Sequence, residues 1–258
     1  MTYVPRYDLE LLHDKTSKNI LLIPVINEGT RLTGLLTEIG ILGLYDTVDV
    51  VVVDGGSTDG SINALGLSKL GVSAVIHKRG PGKLSAQLLC AYDFALKAGY
   101  DRILTIDGNG KDNPSAVPSF ISLLDEGYDF VQASRFIEGG HHENTPWSRL
   151  IAVRAIHAPF LSLASGFRWT DSTQGFRGYS RRLLLDKEIN IFRPVFDGYE
   201  LLAYLSFIAP RKGYRCIECP SSRVYPSGDV PTKITKIKGS VELLATLFKA
   251  CAGVFNNR

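Results

Sequence analysis

Apolar residues in the first half of the chain alternate between short continuous runs and helical repeats. Continuous runs are typical of strands buried on both faces of a sheet, and they lie at residues 19–26, 48–53, 72–77, 102–106 and 130–133. Between them, apolar side chains recur every three or four residues, which predicts helices at residues 31–41, 61–70, 84–98 and 116–124. Strands and helices that alternate through short links predict an α/β fold with a mostly parallel central sheet and helices on both faces.

The second half of the chain has a less regular pattern. Its apolar spacing predicts helices at residues 146–167, 199–209 and 236–255, and a strand at residues 215–219. Residues 170–179 are rich in turn-forming side chains and are expected to form a turn that leads into residues 180–186. No internal repeat or linker marks a boundary, so we expect one domain over residues 1–258.

Polar, glycine-rich segments follow three of the predicted strands, at residues 27–29, 54–60 and 107–109. Because the carboxyl ends of parallel strands meet at one edge of the sheet, these segments are expected to form a ligand site there. The Asp54 carboxylate can accept hydrogen bonds from a base or a ribose, and the glycines after it permit a close approach. Asp107 and Asn109 supply the hard oxygen ligands of Mg²⁺ or Mn²⁺ bound to a diphosphate. The alternative for each segment is a plain strand-to-helix turn.

Composition excludes several classes of protein. The chain has 258 residues, of which 45% are hydrophobic and 21% charged, so it is neither disordered nor fibrous. A net charge of +3 is too small to indicate a nucleic-acid partner. The N-terminus has no signal core, and we find no apolar stretch of about 18 residues that would span a membrane. We therefore expect a cytoplasmic protein, with peripheral contact to the cytoplasmic face of a membrane left open.

Two other sequence features have simple explanations. Cys216 and Cys219 form one C-x-x-C pair without the further ligands of a zinc site, so structural roles are favoured for the cysteines. His141 and His142 also lack a third ligand nearby, and we expect them in a mobile loop on the acceptor side. The basic residues 233–238 and the amphipathic stretch after them either lie on an anionic membrane or form a helix packed on the core, and the packed helix is favoured.

An ordered set of motifs resembles glycosyltransferase family two. ILLIPVINEG, VVVVDGGSTDGS, Gly82-Lys83 and TIDGNGKDNP occur in that order and at that family's spacing. Residues 133–140, 171–177 and 220–234 resemble the dolichol-phosphate mannose synthase branch, and the resemblance covers roughly residues 19–240. It implies a GT-A fold with a nucleotide-sugar half over about residues 19–135 and an acceptor half over about residues 136–258.

The resemblance also implies roles for individual residues. The substrate-binding residues would be Pro24, Asn27, Glu28, Asp54, Asp59, Lys83, Gln174 and Arg223. Asp107 and Asn109 would hold Mg²⁺ or Mn²⁺, and Arg135, Arg177 and Asp171 would be catalytic. Arginine suits a phosphate oxyanion because its planar fork binds two oxygens. Asp171 is the candidate base for a hydroxyl acceptor, whereas a phosphate acceptor is already anionic and needs no strong base.

Two residues depart from the family pattern. The second acidic position of the metal-binding motif is Asn109, and Lys111 stands where the synthase branch often has Gln. We expect either a requirement for Mg²⁺ or Mn²⁺ that saturates only at high metal concentration, or a partial replacement of the metal by Lys111. These departures also leave open a non-catalytic nucleotide-sugar-binding or scaffolding protein.

The expected activity is an inverting transfer of a hexose-type sugar from a UDP- or GDP-sugar to polyprenyl phosphate or to a lipid-linked glycan. A less favoured alternative is a sugar-1-phosphate nucleotidylyltransferase, but residues 25–34 do not form the Gly-rich, Arg-containing loop that it requires. The sequence identifies neither the sugar, the base nor the oligomeric state.

Overall fold

A computed structural model describes residues 3–225 and 238–256, with side chains from residue 242 onward in the second range. The strands in these ranges are β1 Tyr7–Leu11, β2 Asn19–Val25, β3 Asp49–Asp54, β4 Ala74–Lys78, β5 Arg102–Thr105, β6 Phe130–Ser134, β7 His141–Glu143, β8 Arg177–Ser180, β9 Cys216–Pro220 and β10 Ser222–Val224. The helices are α1 Thr30–Ile41, α2 Ala64–Lys69, α3 Leu84–Lys97, α4 Val117–Asp125, α5 Trp147–Ile151, α6 Ala158–Ser165, α7 Arg181–Leu184, α8 Glu200–Arg211 and α9 Lys238–Cys251. A π-helical turn, Ala152–His157, joins α5 to α6.

The central sheet has eight strands in the order β1-β4-β3-β2-β5-β8-β6-β9. Strands β2 to β5 are parallel, and β6 and β9 are parallel to each other, whereas β1 and β8 run antiparallel to their neighbours. The predicted mostly parallel α/β sheet is therefore confirmed.

Helices cover both faces of this sheet, as its pattern predicts. On one face, α1 buries Leu32, Leu35 and Ile39 against strand residues such as Val50. On the other face, α3 lies between the sheet and α8, and its side chains are buried almost all round the helix. The buried, continuously apolar strands β2 and β3 therefore separate two hydrophobic cores.

The register of the central strands brings their polar ends together. Val25, the last residue of β2, lies beside Asp54, the last residue of β3. Beyond β5 the chain stays beside β2, because the Gly108 N–H donates to the Pro24 carbonyl at 3.3 Å. A Cβ on Gly108 would lie 2.4 Å from Val25 Cγ1, so this approach requires glycine.

Several predicted boundaries are wrong. Residues 170–179, expected to form a turn, include the start of β8, which lies between β5 and β6. The helix predicted at residues 61–70 is shorter, because the Asn63 side chain caps α2 by accepting from the Gly66 N–H at 2.9 Å. Strand β1, at the edge of the sheet, was not predicted. His141 and His142 lie in β7, which pairs with β10, and not in a mobile loop.

The C-terminal helix packs on the protein core. Leu247 and Ala250 of α9 are buried, and so is Phe255 beyond its end. The Phe248 ring lies 4.3 Å from the Phe160 ring of α6. The favoured prediction of a packed helix is confirmed for α9, while the basic residues 233–237 and the predicted loop beyond Tyr225 lie outside the described residues. Within the part of the chain described here, no helix is both long and apolar enough to cross a bilayer.

Asp129 fixes the inserted strand β8 to its neighbours. Its Oδ1 accepts from Ser180 Oγ at 2.8 Å, and its Oδ2 accepts from Arg182 Nη2 at 2.5 Å and from the Arg215 N–H at 3.2 Å. The carboxyl group is almost fully buried, so these donors depend on it.

We expect Asp129→Ala to lower the free energy of unfolding by about 3 kcal/mol, because it leaves several donors without a charged acceptor. Urea denaturation measures this change. Asp125→Ala is the matched control: its half-exposed carboxylate pairs with Arg102 near the surface, where a loss under about 1 kcal/mol is expected. Equal losses in the two variants would contradict this role for Asp129.

Candidate active site

Side chains join the two loops that follow β2 and β3. The Asn27 N–H donates to Ser57 Oγ at 3.0 Å, and the Thr58 N–H donates to Asn27 Oδ1 at 2.7 Å. The Gly29 N–H donates to Asp59 Oδ2 at 3.0 Å. Hydrogen bonds from Ser61 lower the pKa of Asp59, so this carboxylate stays ionised and holds the loops together.

Asp54 ends β3 in a mostly buried position. Its Oδ1 accepts from the Ser57 N–H at 2.8 Å, and its Oδ2 lies 3.6 Å from His77 Nδ1. Three of the predicted nucleoside contacts, Asn27, Asp54 and Asp59, thus shape the loops but are not among the residues that line the cavity described next.

A cavity of about 700 Å³ lies at the carboxyl ends of the strands. Its floor is formed by residues that follow the strands, including Pro24, Gly55, Asp107 and Asn109. Helices α6, α8 and α9 provide an apolar wall with Leu161, Leu202, Leu243 and Leu247. A cavity is therefore present at the edge of the sheet where the sequence predicts a ligand site.

Charges along the cavity wall are strongly unequal. Among the residues that the structure describes, the acidic ones on the wall are Glu28, Asp107 and Glu242. The basic residues are Arg31, Lys83, Lys111, Arg149, Arg177 and Arg223. Each acidic residue is already in an ion pair with one of the basic ones, at 2.8 Å for Glu28–Arg31 and 3.3 Å for both Asp107–Arg223 and Glu242–Lys83. This wall is suited to bind an anion.

Gln87 is a buried residue on the cavity wall that the sequence patterns did not indicate. Its Nε2 donates to the Val25 carbonyl at 2.9 Å and to the Val53 carbonyl at 3.1 Å, which connects the ends of β2 and β3. A Cβ on Gly55 would lie 2.7 Å from this amide, so the amide packs directly on that glycine. Both N–H groups of the amide are used, so its oxygen is the remaining polar atom of this side chain, which lines the cavity.

Asp107 and Asn109 lie together at the cavity floor, as the motif predicts. Asn109 Nδ2 lies 3.5 Å from Asp107 Oδ2, and Asn109 Oδ1 accepts from the Lys111 N–H at 3.2 Å. A Cβ on Gly175 would lie 2.1 Å from Asp107 Oδ1, so glycine is required beside this carboxylate.

This pair of residues fits a divalent ion that takes most of its ligands from elsewhere. One carboxylate and one amide oxygen agree with Mg²⁺ or Mn²⁺ whose other ligands are diphosphate oxygens and water. They do not fit an ion held by protein alone, since the described residues contain no group of three or more His, Cys, Asp or Glu able to hold a metal. Arg223, 3.3 Å from Asp107 Oδ2, also competes for the carboxylate.

Arg223 lies at the centre of a cluster of cations. It is buried between Asp107 and Asp112, to which it donates through Nη2 and Nη1. Burial lowers the pKa of Arg223, but the two carboxylates outweigh that effect, raise the pKa well above its usual value and keep the group charged. Burial and the neighbouring Arg223 lower the pKa of Lys111.

The ring of Tyr225 holds this cluster together. Lys111, Arg149 and Arg223 lie over it, at 5.0, 6.0 and 5.7 Å from the ring centroid. Burial raises the pKa of the phenol, but Arg223 and Arg149 outweigh burial and the pKa is lowered overall. Arg149 also donates to the Tyr225 hydroxyl at 3.0 Å. Sequence reasoning missed Arg149 and Tyr225, because no motif marks Arg149 and the ring contacts exist only in the folded protein.

Arg177 begins β8 and lines the cavity while almost completely buried. Its guanidinium donates to the carbonyls of Gln174, Leu202 and Ser172 and to Ser206 Oγ, at distances of 2.9 to 3.2 Å. No carboxylate among the described residues pairs with it. A buried cation neutralised only by dipoles favours an anion beside it.

Asp171 and Arg135 form a separate, fully buried pair. Arg135 donates to both carboxylate oxygens, at 2.7 and 3.2 Å, and Gln174 Nε2 donates to Asp171 Oδ2 at 2.7 Å. The Thr173 N–H and hydroxyl both donate to Asp171 Oδ1. None of Asp171, Arg135 and Gln174 lines the main cavity, and Arg135 instead borders a second polar cavity of about 330 Å³. The geometry therefore favours positioning roles for Asp171 and Gln174.

We expect Asp171→Asn to lower the free energy of unfolding by about 3–5 kcal/mol, because it leaves Arg135 buried without a counter-charge. Urea denaturation measures this change. The control is Glu188→Gln, whose exposed pair with Lys212 is expected to contribute little to stability because it is screened by solvent. A variant as stable as the wild type with a much lower kcat would instead support a catalytic base at this position.

Comparison with known proteins identifies the family. The chain matches the family model Glycosyl transferase family 2 over residues 20–186, more than half of its length. A polyprenol monophosphomannose synthase of Mycolicibacterium smegmatis is 27% identical over 208 residues, which are 80% of this chain and 77% of that protein. An undecaprenyl-phosphate mannosyltransferase of Micrococcus luteus is 28% identical over 207 residues, which are 78% of this chain and 81% of that protein.

The solved structures show the same fold. Glucosyl-3-phosphoglycerate synthase from Mycobacterium tuberculosis, solved in complex with Mn²⁺, uridine diphosphate and glucosyl-3-phosphoglycerate, superposes with a TM-score of 0.60. It is 19% identical, and the match covers 92% of this chain and 80% of that one. These findings confirm the GT-A fold and the resemblance to the dolichol-phosphate mannose synthase branch. The chain therefore belongs to glycosyl transferase family 2.

Proposed function

We propose that this transferase moves a hexose-type sugar, with inversion, from a UDP- or GDP-sugar to a polyprenyl phosphate. One observation carries the proposal: as far as the structure describes the chain, the cavity wall has six basic residues and three carboxylates, and these carboxylates are already ion-paired. Such a wall suits two anionic groups, the diphosphate of the donor and a phosphate on the acceptor.

Within the described part of the chain no unpaired base lines the cavity, and this supports a phosphate acceptor over a hydroxyl acceptor. A hydroxyl has to lose a proton as it attacks, which requires a general base within hydrogen-bond reach. Among the described residues, every carboxylate on the cavity wall is paired with a cation, and Asp171 is enclosed by Arg135 and Gln174. A phosphate oxygen is already anionic, so its attack needs no proton transfer.

The proposed reaction exchanges one bond to the sugar for another. An oxygen of the acceptor phosphate attacks the anomeric carbon, the bond from that carbon to the donor diphosphate breaks, and the diphosphate leaves with the electron pair. The transition state carries positive charge on the sugar and growing negative charge on the leaving group. We propose that Lys83, Lys111 and Arg223 stabilise the leaving diphosphate, since fixed cations act without reorganisation.

The acceptor phosphate needs a cation on the other side of the sugar. Arg177 lines the cavity without a carboxylate partner in the described chain, and we assign it to this phosphate, whereas Arg149 belongs to the cluster over Tyr225 with Lys111 and Arg223. The apolar wall formed by Leu161, Leu202 and Leu247 agrees with an isoprenoid chain attached to it. The names of the two relatives, a polyprenol monophosphomannose synthase and an undecaprenyl-phosphate mannosyltransferase, support the same acceptor class.

A divalent metal would bind at Asp107 and Asn109 and would neutralise part of the diphosphate charge when bound. Lys111 lies next to this pair and shares that task in our proposal. The cytoplasmic location and any peripheral membrane contact expected from the sequence stay predictions, as does the division into a nucleotide-sugar half and an acceptor half.

The donor and acceptor are tested together. We expect a UDP- or GDP-sugar to raise the melting temperature, because it binds only the folded state, and to be consumed when a short-chain polyprenyl phosphate is added. The same polyprenol without its phosphate is the matched control and is expected to give no transfer. Donor binding without turnover on any acceptor would support the alternative of a non-catalytic nucleotide-sugar-binding protein.

Metal dependence is a separate prediction. We expect Mn²⁺ to bind measurably in calorimetry only when the nucleoside diphosphate is present, because the protein supplies too few ligands alone. Asp107→Asn should remove this coupling and lower kcat/KM by about 100-fold or more, a loss of about 3 kcal/mol in transition-state stabilisation. Full activity of the wild type in excess chelator would contradict the metal role and favour Lys111 as the replacement.

A further inference from the structure

The segment from α5 to α6 exposes an unbroken apolar stripe. Every fourth residue is apolar and exposed, namely Trp147, Ile151, Ala155, Pro159 and Leu163. Trp147 is 72% exposed and Leu163 86% exposed, which is unusual for side chains of this size. The transferase cavity does not use these side chains.

The π-helical turn at Ala152–His157 keeps this stripe straight. In an α-helix of 3.6 residues per turn, positions four residues apart drift steadily round the axis. A π turn contains more residues per turn, so positions four residues apart rotate in the opposite direction there. This rotation offsets the drift in the flanking α-helices. Pro159, which has no N–H to donate to the preceding turn, is accommodated just after this turn.

The opposite side of the same segment forms part of the cavity. Arg149, His157 and Leu161 line the cavity, and Val153 and Ala158 are buried. The stripe therefore faces directly away from the cavity and lies one helix diameter from it, about 10 Å.

Charge and neighbouring residues indicate what this surface contacts. Residues 144–170 contain no Asp or Glu, whereas Arg154 and Arg168 are exposed within them. Arg211 of α8 donates to the Ala164 carbonyl at 3.1 Å, which places a further cation at the end of α6. Phe248 of α9, half exposed, extends the apolar area beside Phe160.

We infer that this surface, formed by Trp147, Ile151, Leu163 and Phe248 with its flanking arginines, docks on a bilayer that carries anionic lipids. A helix surface with Trp and Leu facing outward, arginines beside them and no acidic residue has the chemistry of an interfacial helix. Docking itself is independent of the transferase reaction. Its consequence, that a lipid acceptor enters the cavity from the bilayer beside α6 and α9, rests on the proposed function.

Vesicle co-sedimentation without any donor or acceptor tests the docking. We expect binding to phosphatidylglycerol vesicles and weak binding to phosphatidylcholine vesicles. The double variant Trp147→Ser, Leu163→Ser should lose about tenfold or more in binding. The matched control is Ile41→Ser, Leu65→Ser, which removes side chains that are 81% and 68% exposed elsewhere and should bind like the wild type.

Tryptophan emission gives a second readout. The chain has two tryptophans, and Trp169 is 3% exposed. A blue shift on adding phosphatidylglycerol vesicles should therefore come from Trp147, and Trp147→Phe should remove it.

Three results would overturn the docking inference. The first is no binding to phosphatidylglycerol vesicles, and the second is an equal loss of binding in the Ile41 and Leu65 control. The third is that the wild type forms a dimer in size-exclusion chromatography and the Trp147 and Leu163 variant does not. Failure of the proposed function looks different, since vesicle binding would persist while no polyprenyl phosphate is glycosylated. If both proposals hold, the double variant should still glycosylate a short-chain acceptor in detergent but lose transfer to vesicle-embedded acceptor.

Discussion

The positive charge gathered at the carboxyl edge of the sheet is the constraint on which the rest of the site depends. Burying a cation is costly unless a counter-charge or several dipoles surround it. Arg223 meets this requirement with Asp107 and Asp112, and Arg177 meets it with carbonyl oxygens and Ser206. Lys111 and Arg149 have no carboxylate partner among the described residues, and in the proposed reaction the phosphate groups of the substrates supply their counter-charge.

The folding of the second half of the chain positions these cations. Strand β8 enters the sheet between β5 and β6, so Arg177 reaches the same edge as Asp107 although about seventy residues separate them. The segment before β8 is held by the buried Arg135–Asp171 pair, and Gly175 lets it pack directly on Asp107. The buried Arg135–Asp171 pair thus fixes the backbone beside the charged cavity.

The helices on the acceptor side connect the cavity with the proposed docking surface. Leu161 of α6 and Leu247 of α9 line the cavity, while Leu163 and Phe248 of the same helices point outward. A two-sided helix of this kind buries one face for stability and leaves the other for a partner. The Phe160–Phe248 contact holds α6 and α9 side by side. The same packing therefore forms both the cavity wall and the outward apolar surface of these helices.

The sequence by itself determined the parallel part of the sheet and its helices, because buried strands and amphipathic helices have periods that are visible in the residues. It also indicated the family, through an ordered set of motifs. It further located Asp107 and Asn109 at one edge of the sheet, since the ends of parallel strands converge. Lys83 and Arg223 were indicated only by the resemblance to the family. Only the tertiary structure decided the placement of β8, the enclosure of Asp171 by Arg135, and the contacts of Arg149 and Tyr225. These depend on pairing between distant segments and on side-chain burial, which no local pattern of residues encodes.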